Sequence, residues 1–293
     1  MKKAGKIAVV GASGFIGQPL YSSLKKKFDV TGTYSNSPKD GMARLDIAGK
    51  KAVDRFISGG GYDAVILLAA VTDVDLCERD RELARKINFR GARNVADACM
   101  KTGARLVFFS TDFVFDGEKG DYSETDRANP VNFYGKTKRS GEITVSRVDE
   151  HVIARISAPY SFARESGKFI NMAYRNLKRG EKVRAFADLV RNPTLIEDLA
   201  WNVEMLLGKR HSGILNLSGG SGISMYDAAL EIADVFGFDA SLAEKSYSKD
   251  VKFDAKRPTD TSLDVSLAKK LGFRAEPFRQ GLLRSKKTLE GLP

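Results

Sequence analysis

The stretch "KIAVVGASGFIGQ", residues 6–18, decides the fold of this chain. An apolar run ending in glycine predicts a buried strand, and the spaced apolar residues that follow predict a helix. The glycines form a G-x-x-G-x-x-G frame in the turn between them. A pyrophosphate needs the backbone N–H groups of a helix N-terminus, and a Cβ there would block its approach. The turn is therefore predicted to bind a dinucleotide through Gly11, Ser13, Gly14, Phe15, Ile16 and Gly17.

Strand and helix signals alternate along the first half of the chain. Continuous apolar runs such as "DAVILLAA" (63–70) and "ARLVFFST" (104–111) are separated by segments with helical spacing. This pattern is typical of a parallel sheet covered by helices on both faces. We predict an α/β protein with a Rossmann-like, doubly wound parallel sheet in residues 1–155. Residues 156–293 are predicted to form mainly a smaller substrate-binding lobe, with some segments returning to the Rossmann domain.

Composition narrows the possible partners. The 293 residues carry a net charge of +11, which favours anionic ligands, but no basic block or motif indicates nucleic acid. The two cysteines have no metal-ligand spacing and are interpreted as packing residues. The longest apolar run, residues 64–71, is too short to cross a bilayer. Because the charged N-terminus runs directly into a strand, no signal peptide is expected and a cytoplasmic location is predicted.

A second strand is predicted over "FDVTGTY" (28–34), and the residues at its end indicate which dinucleotide is bound. Tyr34 and Ser35 lie there in "TGTYSNSPKD" (31–40), without the carboxylate that would bind the ribose 2′-hydroxyl of NAD. This favours NADP(H), with NAD(H) possible, although no arginine is evident at the tip. Further along, Asp46 and Ile47 are expected to flank the adenine.

Two further segments indicate reduction of a carbonyl group or oxidation of an alcohol. Thr111 and Asp112 end the strand in "VFFSTDFVFDG" (107–117), at the edge of the sheet that faces the ligand. Tyr134 and Lys138 lie four residues apart in "NFYGKTK" (132–138), which places both on one face of a helix. An ammonium near a phenol is expected to lower the tyrosine pKa, so that Tyr134 can act as general acid or base.

These motifs and their order resemble the extended short-chain dehydrogenase/reductases, and more narrowly the dTDP-4-dehydrorhamnose reductases. The resemblance is closest over residues 7–142 and includes "AAVTDVDLCERD" (69–80). It implies NADP(H)-dependent reduction of the 4-keto group of a nucleotide-diphosphate deoxysugar, with Tyr134 as general acid assisted by Lys138 and Thr111. Asp112 accompanies this trio in the motif, and Tyr134 and Lys138 also contact the cofactor.

The resemblance extends to further contacts. Ala69, Ala70 and Thr72 match a strand end that touches cofactor and substrate. Candidate substrate-binding residues are Thr72, Lys168, Arg191 and Arg257, and no metal ligands are assigned. The chain departs from the family pattern at Phe113, where a tyrosine is usual, and it lacks the tryptophan expected after "ARIS" (154–157).

Alternative functions stay open at this point. A nucleotide-sugar epimerase shares the glycine loop and the Tyr/Lys pair. A non-catalytic, NADP-binding regulatory subunit, similar to the β subunit of methionine adenosyltransferase, would also keep them. For the reductase the expected partner is a nucleotide-diphosphate sugar, with no nucleic acid and no membrane, and a homodimer is possible.

Overall fold

The computed structural model describes residues 5–291, so the first four and last two residues of the two predicted regions lie outside the described residues. Its centre is a seven-stranded sheet in which every pair of neighbouring strands is parallel. In spatial order the strands are β11 (Gly213–Asn216), β6 (His151–Ile156), β5 (Arg105–Thr111), β4 (Ala64–Leu67), β1 (Lys6–Val10), β2 (Asp29–Tyr34) and β3 (Met42–Arg44). The predicted doubly wound parallel sheet is confirmed.

Helices cover both faces of this sheet. The α-helices of residues 5–291 are α1 (Gly17–Leu24), α2 (Lys50–Gly60), α3 (Val74–Arg79), α4 (Arg81–Ala84), α5 (Ala92–Thr102), α6 (Phe133–Val145), α7 (Phe169–Lys178), α8 (Ile196–Gly208), α9 (Met225–Phe236), α10 (Ser266–Lys270) and α11 (Phe278–Leu289). Six short strands complete the fold: β7 (Pro159–Tyr160), β8 (Val183–Phe186), β9 (Val190–Arg191), β10 (Thr194–Leu195), β12 (Ile223–Ser224) and β13 (Ala243–Ser246). Helices α7, α9 and α11 lie in the C-terminal lobe.

The apolar runs of the strands are buried because helices pack on each side of the sheet. One core lies between the sheet and α1 and α8, and a second lies between the sheet and α2 and α5. A third core is confined to the C-terminal lobe and includes residues of α7, α9 and α11. Helix α8 and strand β11 come from the second half of the chain but complete the Rossmann sheet and one of its faces.

Local structure differs from the sequence prediction at three places. The segment "ELARKINFRGARNVADACMKTG" (82–103) has the spacing of one long helix ended by glycine, but a π-helical turn, Arg85–Gly91, interrupts it before α5. The helix expected after the glycine loop is limited to α1. Strand β3 was not predicted, and it pairs with β2 so that Arg44 lies beside Tyr34. Cys77 and Cys99 are both buried and free, as expected for packing residues.

Candidate active site

The glycine loop forms an open cradle at the N-terminus of α1. Gly11 has a φ of 91°, and a Cβ on it would lie 2.7 Å from the backbone nitrogen of Ala69. A Cβ on Gly17 would lie 2.2 Å from the Gly11 carbonyl oxygen, so the turn requires both glycines. The N–H groups of Phe15 and Ile16 have no hydrogen-bond partner among residues 5–291. Free amides at a helix N-terminus fit a dinucleotide pyrophosphate.

Helix α6 presents Tyr134 and Lys138 at the carboxyl ends of the sheet strands. Asn132 caps the helix, because its side chain accepts a hydrogen bond from the Gly135 N–H at 2.9 Å. Gly135 allows close packing on the turn after β5, since a Cβ there would lie 2.1 Å from the Phe113 carbonyl oxygen. Lys138 donates to the Phe109 carbonyl of β5 at 2.7 Å. The helix is thus fixed against the strand that ends at Thr111.

Thr111 and Asp112 lie directly beneath this helix. The Thr111 hydroxyl donates to the Asp112 carboxylate at 3.0 Å and accepts from the Phe113 N–H at 3.2 Å. Asp112 is only 2% exposed. The Tyr134 ring meets the Phe113 ring edge-on, with centroids 5.8 Å apart. Phe113, which lacks the hydroxyl of the tyrosine expected at this position, therefore presents only an apolar ring to the phenol.

All of these groups surround one cavity of about 430 Å³. Residues of the first half lining it include Gly11, Gly14, Phe15, Ile16, Gly17, Ala70, Thr72, Thr111, Asp112, Tyr134 and Lys138. The second half contributes Ala158, Pro159, Lys168, Phe169 and Arg191. The structure therefore brings the cradle, the trio and three of the four candidate substrate residues, Thr72, Lys168 and Arg191, to a single site. Ser13, Tyr34, Ser35, Asp46, Ile47, Ala69 and Arg257 do not line it.

Comparison with known proteins identifies the family to which this chain belongs. Residues 5–290 match the model of the RmlD substrate binding domain family. The chain belongs to this family.

This chain is similar to two curated relatives and one solved structure over most of their length. It is 31% identical to the probable low-salt glycan biosynthesis reductase Agl14 of Haloferax volcanii over 88% of this chain and 89% of the relative. It is 27% identical to the bovine methionine adenosyltransferase 2 subunit beta over 96% and 86%. The crystal structure of dTDP-4-dehydrorhamnose reductase from Bacillus anthracis in complex with NADP superposes with a TM-score of 0.87 at 28% identity, covering 96% and 98%.

The expected resemblance to dTDP-4-dehydrorhamnose reductases is confirmed by these matches. So is the class of NAD(P)-dependent oxidoreductase to which such reductases belong. Among residues 5–291 no helix is long and apolar enough to cross a membrane. In the same range, no three His, Cys, Asp or Glu side chains are grouped to hold a metal ion.

Burial dominates the protonation of the two central groups. It raises the pKa of Tyr134 above its ordinary value, and the Thr111 hydroxyl only partly opposes that rise. Burial also lowers the pKa of Lys138 to about 7, although the Glu142 carboxylate opposes this shift. The expectation that the lysine lowers the tyrosine pKa is wrong for this structure. Desolvation is the largest influence on both groups, and the phenol is protonated at neutral pH.

The three predicted cations have different surroundings. Lys168 is half-buried at the cavity, with its pKa lowered by burial and without an ion pair among residues 5–291. Arg191 is 6% exposed, and its guanidinium bonds to three backbone carbonyls. Arg257 pairs with Asp75 at 2.6 Å away from the cavity. Lys168 is therefore the cation of the three with donors free to meet an anionic ligand.

The sequence did not predict one candidate cofactor-binding residue, which lies at the edge of the sheet formed by β2 and β3. Arg44 on β3 is paired with Tyr34 on β2, and Ser35 follows at the exposed tip. The exposed Arg44 has no ion pair among the described residues. A three-residue strand has no clear periodicity, so only the pairing shows that an arginine lies at this tip. Asp46 accepts from the Ala48 N–H at 2.9 Å, and Ile47 is buried against Gly91.

Proposed function

We propose that this protein reduces the 4-keto group of a nucleotide-diphosphate deoxysugar with NADP(H), NAD(H) being the possible substitute. The observation that carries the proposal is the convergence of Thr111, Tyr134 and Lys138 on the cavity that the glycine cradle opens into. Relatives named as reductases of dTDP-4-dehydrorhamnose and of a glycan pathway support the reaction class.

The glycine cradle fits a dinucleotide, so its residues are assigned to that cofactor. The free N–H groups of Phe15 and Ile16 would bind the pyrophosphate, and Lys138 would hold the ribose hydroxyls. When bound, the reduced nicotinamide supplies a hydride. Ala70 and Thr72 line the cavity beside the catalytic groups, which suits contact with both cofactor and substrate.

Tyr134 acts as the proton donor. Its phenol is buried and protonated at neutral pH, because burial raises its pKa. An alkoxide that forms at the substrate carbonyl is a much stronger base than a tyrosinate, so proton transfer from the phenol is favourable. Thr111 would hold the substrate oxygen near the phenol by rotating its O–H, which donates to Asp112 in this structure, towards that oxygen. A raised tyrosine pKa therefore suits reduction better than it suits removal of a proton from an alcohol.

Lys168 is assigned to the substrate diphosphate. It lines the same cavity and forms no ion pair among residues 5–291, although the attraction of the Asp112 carboxylate partly opposes the lowering of its pKa. The net charge of +11 adds a long-range attraction for an anionic substrate.

The test is the oxidation of NADPH with dTDP-4-keto-6-deoxy-L-mannose supplied by precursor enzymes. Wild type should turn over, and Tyr134→Phe should lose at least about 100-fold in kcat because the proton donor is gone. Tyr247→Phe, an exposed tyrosine far from the cavity, is the matched control. Turnover by Tyr134→Phe at the wild-type rate would contradict the assignment of the acid.

A regulatory role is the second candidate, favoured by the similarity to methionine adenosyltransferase 2 subunit beta over 96% of this chain. A protein in this role would bind NADPH tightly without turnover of any keto-sugar nucleotide. It would also co-purify with a synthetase. The same assay, combined with NADPH binding by calorimetry, separates the two candidates.

A further inference from the structure

The Asp112 carboxylate lines the cavity and accepts hydrogen bonds through both of its oxygens. Its Oδ1 accepts from the Thr111 hydroxyl at 3.0 Å. Its Oδ2 accepts from the Ser157 hydroxyl at 2.9 Å and from the Thr261 hydroxyl at 2.6 Å. The Nε of Arg191 lies 3.5 Å from the same oxygen. Three hydroxyl donors and one guanidinium ion pair, from four parts of the chain, thus hold one buried carboxylate and restrict its orientation.

Thr261 belongs to a segment, residues 258–263, that we name the strap. The strap crosses from the C-terminal lobe to the Rossmann domain. Its Asp260 N–H donates to the Gly117 carbonyl of the turn after β5 at 3.0 Å. On its other side the Leu263 N–H donates to the Asn192 side chain at 2.8 Å. The strap is therefore attached to both halves of the molecule at the level of Asp112.

Arg191 ties the strap to Asp112. Its guanidinium donates to the Thr259 carbonyl at 2.7 Å, to the Pro258 carbonyl at 2.7 Å and to the Val190 carbonyl at 2.6 Å. Three of its five N–H groups thus donate within the protein, and its Nε lies in an ion pair 3.5 Å from Asp112 Oδ2. A diphosphate would have to break these bonds to use Arg191.

We propose that Arg191 and Thr261 are positioning residues that act through Asp112 on Thr111. They fix the carboxylate, and the carboxylate holds Thr111 in one side-chain rotamer before substrate binds, so that its O–H needs only to rotate from Asp112 to the substrate oxygen in the proposed reduction. The inference rests on that proposed function for its catalytic consequence, but the rotamer itself is a property of the protein alone. Misplacement of a catalytic group by about 1 Å can cost about 100-fold in rate.

The chain offers a matched pair of variants in the strap. Thr261 donates to Asp112 at 2.6 Å, whereas Thr259 donates to the Gly117 carbonyl at 2.6 Å and does not touch Asp112. Thr261→Val and Thr259→Val each remove one hydroxyl from the same segment with little change in shape. Thr261→Ser restores the hydroxyl. Arg191→Lys keeps the charge but loses the planar fork, and the threonine variants keep the test valid if this one does not fold.

The first measurement does not depend on activity. Three-bond couplings of the ¹³C-labelled Thr111 methyl group report its χ1 angle by NMR. Wild type, Thr259→Val and Thr261→Ser are expected to show one rotamer, and Thr261→Val and Arg191→Lys an average of several. A single unchanged rotamer in Thr261→Val and Arg191→Lys overturns the proposal, whatever the reaction is.

The second measurement is steady-state kinetics with the keto-sugar nucleotide. A positioning role predicts that Thr261→Val lowers kcat about 10-fold with KM unchanged, and that Thr261→Ser recovers it. A higher KM with unchanged kcat in Arg191→Lys would instead show direct substrate binding and refute the proposal. If wild type has no turnover but the Thr111 rotamer averages in Thr261→Val, the proposed reaction fails while the positioning role stands.

Discussion

At the scale of single residues, the spacing of Tyr134 and Lys138 predicted their shared face but not their protonation. Spacing depends on helix geometry alone, and the structure places both residues at one cavity. Protonation depends on burial, which no short motif encodes. The phenol is 8% exposed and the lysine 3% exposed, so desolvation acts on both and reverses the expected direction of the tyrosine shift.

The lowered pKa of Lys138 predicts a pH limb in the activity. Because its folded-state pKa is about 7 instead of 10.5, the ammonium is lost as pH rises through about 7. If the charged form holds the cofactor ribose, kcat/KM should fall about tenfold per pH unit above that value. The profile of kcat/KM measures this directly.

Two variants assign that limb. In Lys138→Arg the side chain stays charged, so the limb should disappear even if the overall rate is lower. Lys136→Arg, an exposed lysine on the same helix, should keep it. A limb that survives unchanged in Lys138→Arg would belong to another group.

Arg44 is the residue on which the choice of dinucleotide should depend. It lies beside Tyr34 at the sheet edge where a 2′-phosphate would be bound. A charge-assisted hydrogen bond contributes about 1.5–3 kcal/mol, so Arg44→Ala should raise the KM for NADPH by about 10–100-fold. The KM for NADH should stay within about 2-fold, as should both values in Arg55→Ala, an exposed arginine on α2. An equal rise for NADPH and NADH would show that Arg44 does not meet the phosphate.

At the scale of elements, a buried ion pair holds α6 against the sheet. Glu142 on α6 accepts two hydrogen bonds from Arg155 on β6, each at 2.9 Å, and one from Ser110 on β5 at 2.6 Å. Although burial alone would raise it, these bonds hold the pKa of Glu142 below its ordinary value. Glu142 lies one helical turn beyond Lys138, so the pair also fixes the position of the catalytic face.

Breaking this pair should cost far more than breaking a surface pair. Glu142→Gln leaves the Arg155 charge buried without its carboxylate, and we expect a loss of about 3–5 kcal/mol in the free energy of unfolding. Replacing both residues, Glu142→Leu with Arg155→Met, should recover most of it. Glu204→Gln, in an exposed pair with Lys27, should cost at most about 1 kcal/mol. Urea unfolding compares the four proteins, and equal losses for Glu142→Gln and Glu204→Gln would rule out the proposed role.

At the scale of the whole molecule, the sequence predicted the sheet and the order of its motifs but not how the second half returns to it. Apolar strands and the glycine frame are local signals. The packing of Leu199 and Val203 of α8 against Leu20 of α1 is a contact between distant segments. The sequence of neither segment indicates which part of the chain it packs against. The same holds for the strap, whose Thr261 meets Asp112 across 149 residues. Long-range contacts of this kind determine how the second half of the chain packs on the sheet, which the sequence alone did not predict.

Both halves of the chain contribute to the core between the sheet, α1 and α8, and to the cavity. This arrangement predicts how NADPH affects the thermal stability. A ligand that binds only the folded protein stabilises it by about 2.7 kcal/mol at 100 times its Kd. The thermal transition should therefore move up by several degrees with NADPH. It should stay a single transition, because both halves contribute to one core and to one cavity.

Gly14→Ala separates cofactor binding from folding. A Cβ on Gly14 has a single neighbour within 4 Å, the Gly11 carbonyl oxygen at 3.3 Å, a tight contact that a small shift of the loop would relieve. The methyl group would, however, occupy the cradle that the pyrophosphate approaches. We expect the midpoint of Gly14→Ala without cofactor to stay near that of wild type, while its shift with NADPH becomes much smaller. Differential scanning calorimetry measures both, and an equal shift in the two proteins would mean that NADPH binds elsewhere.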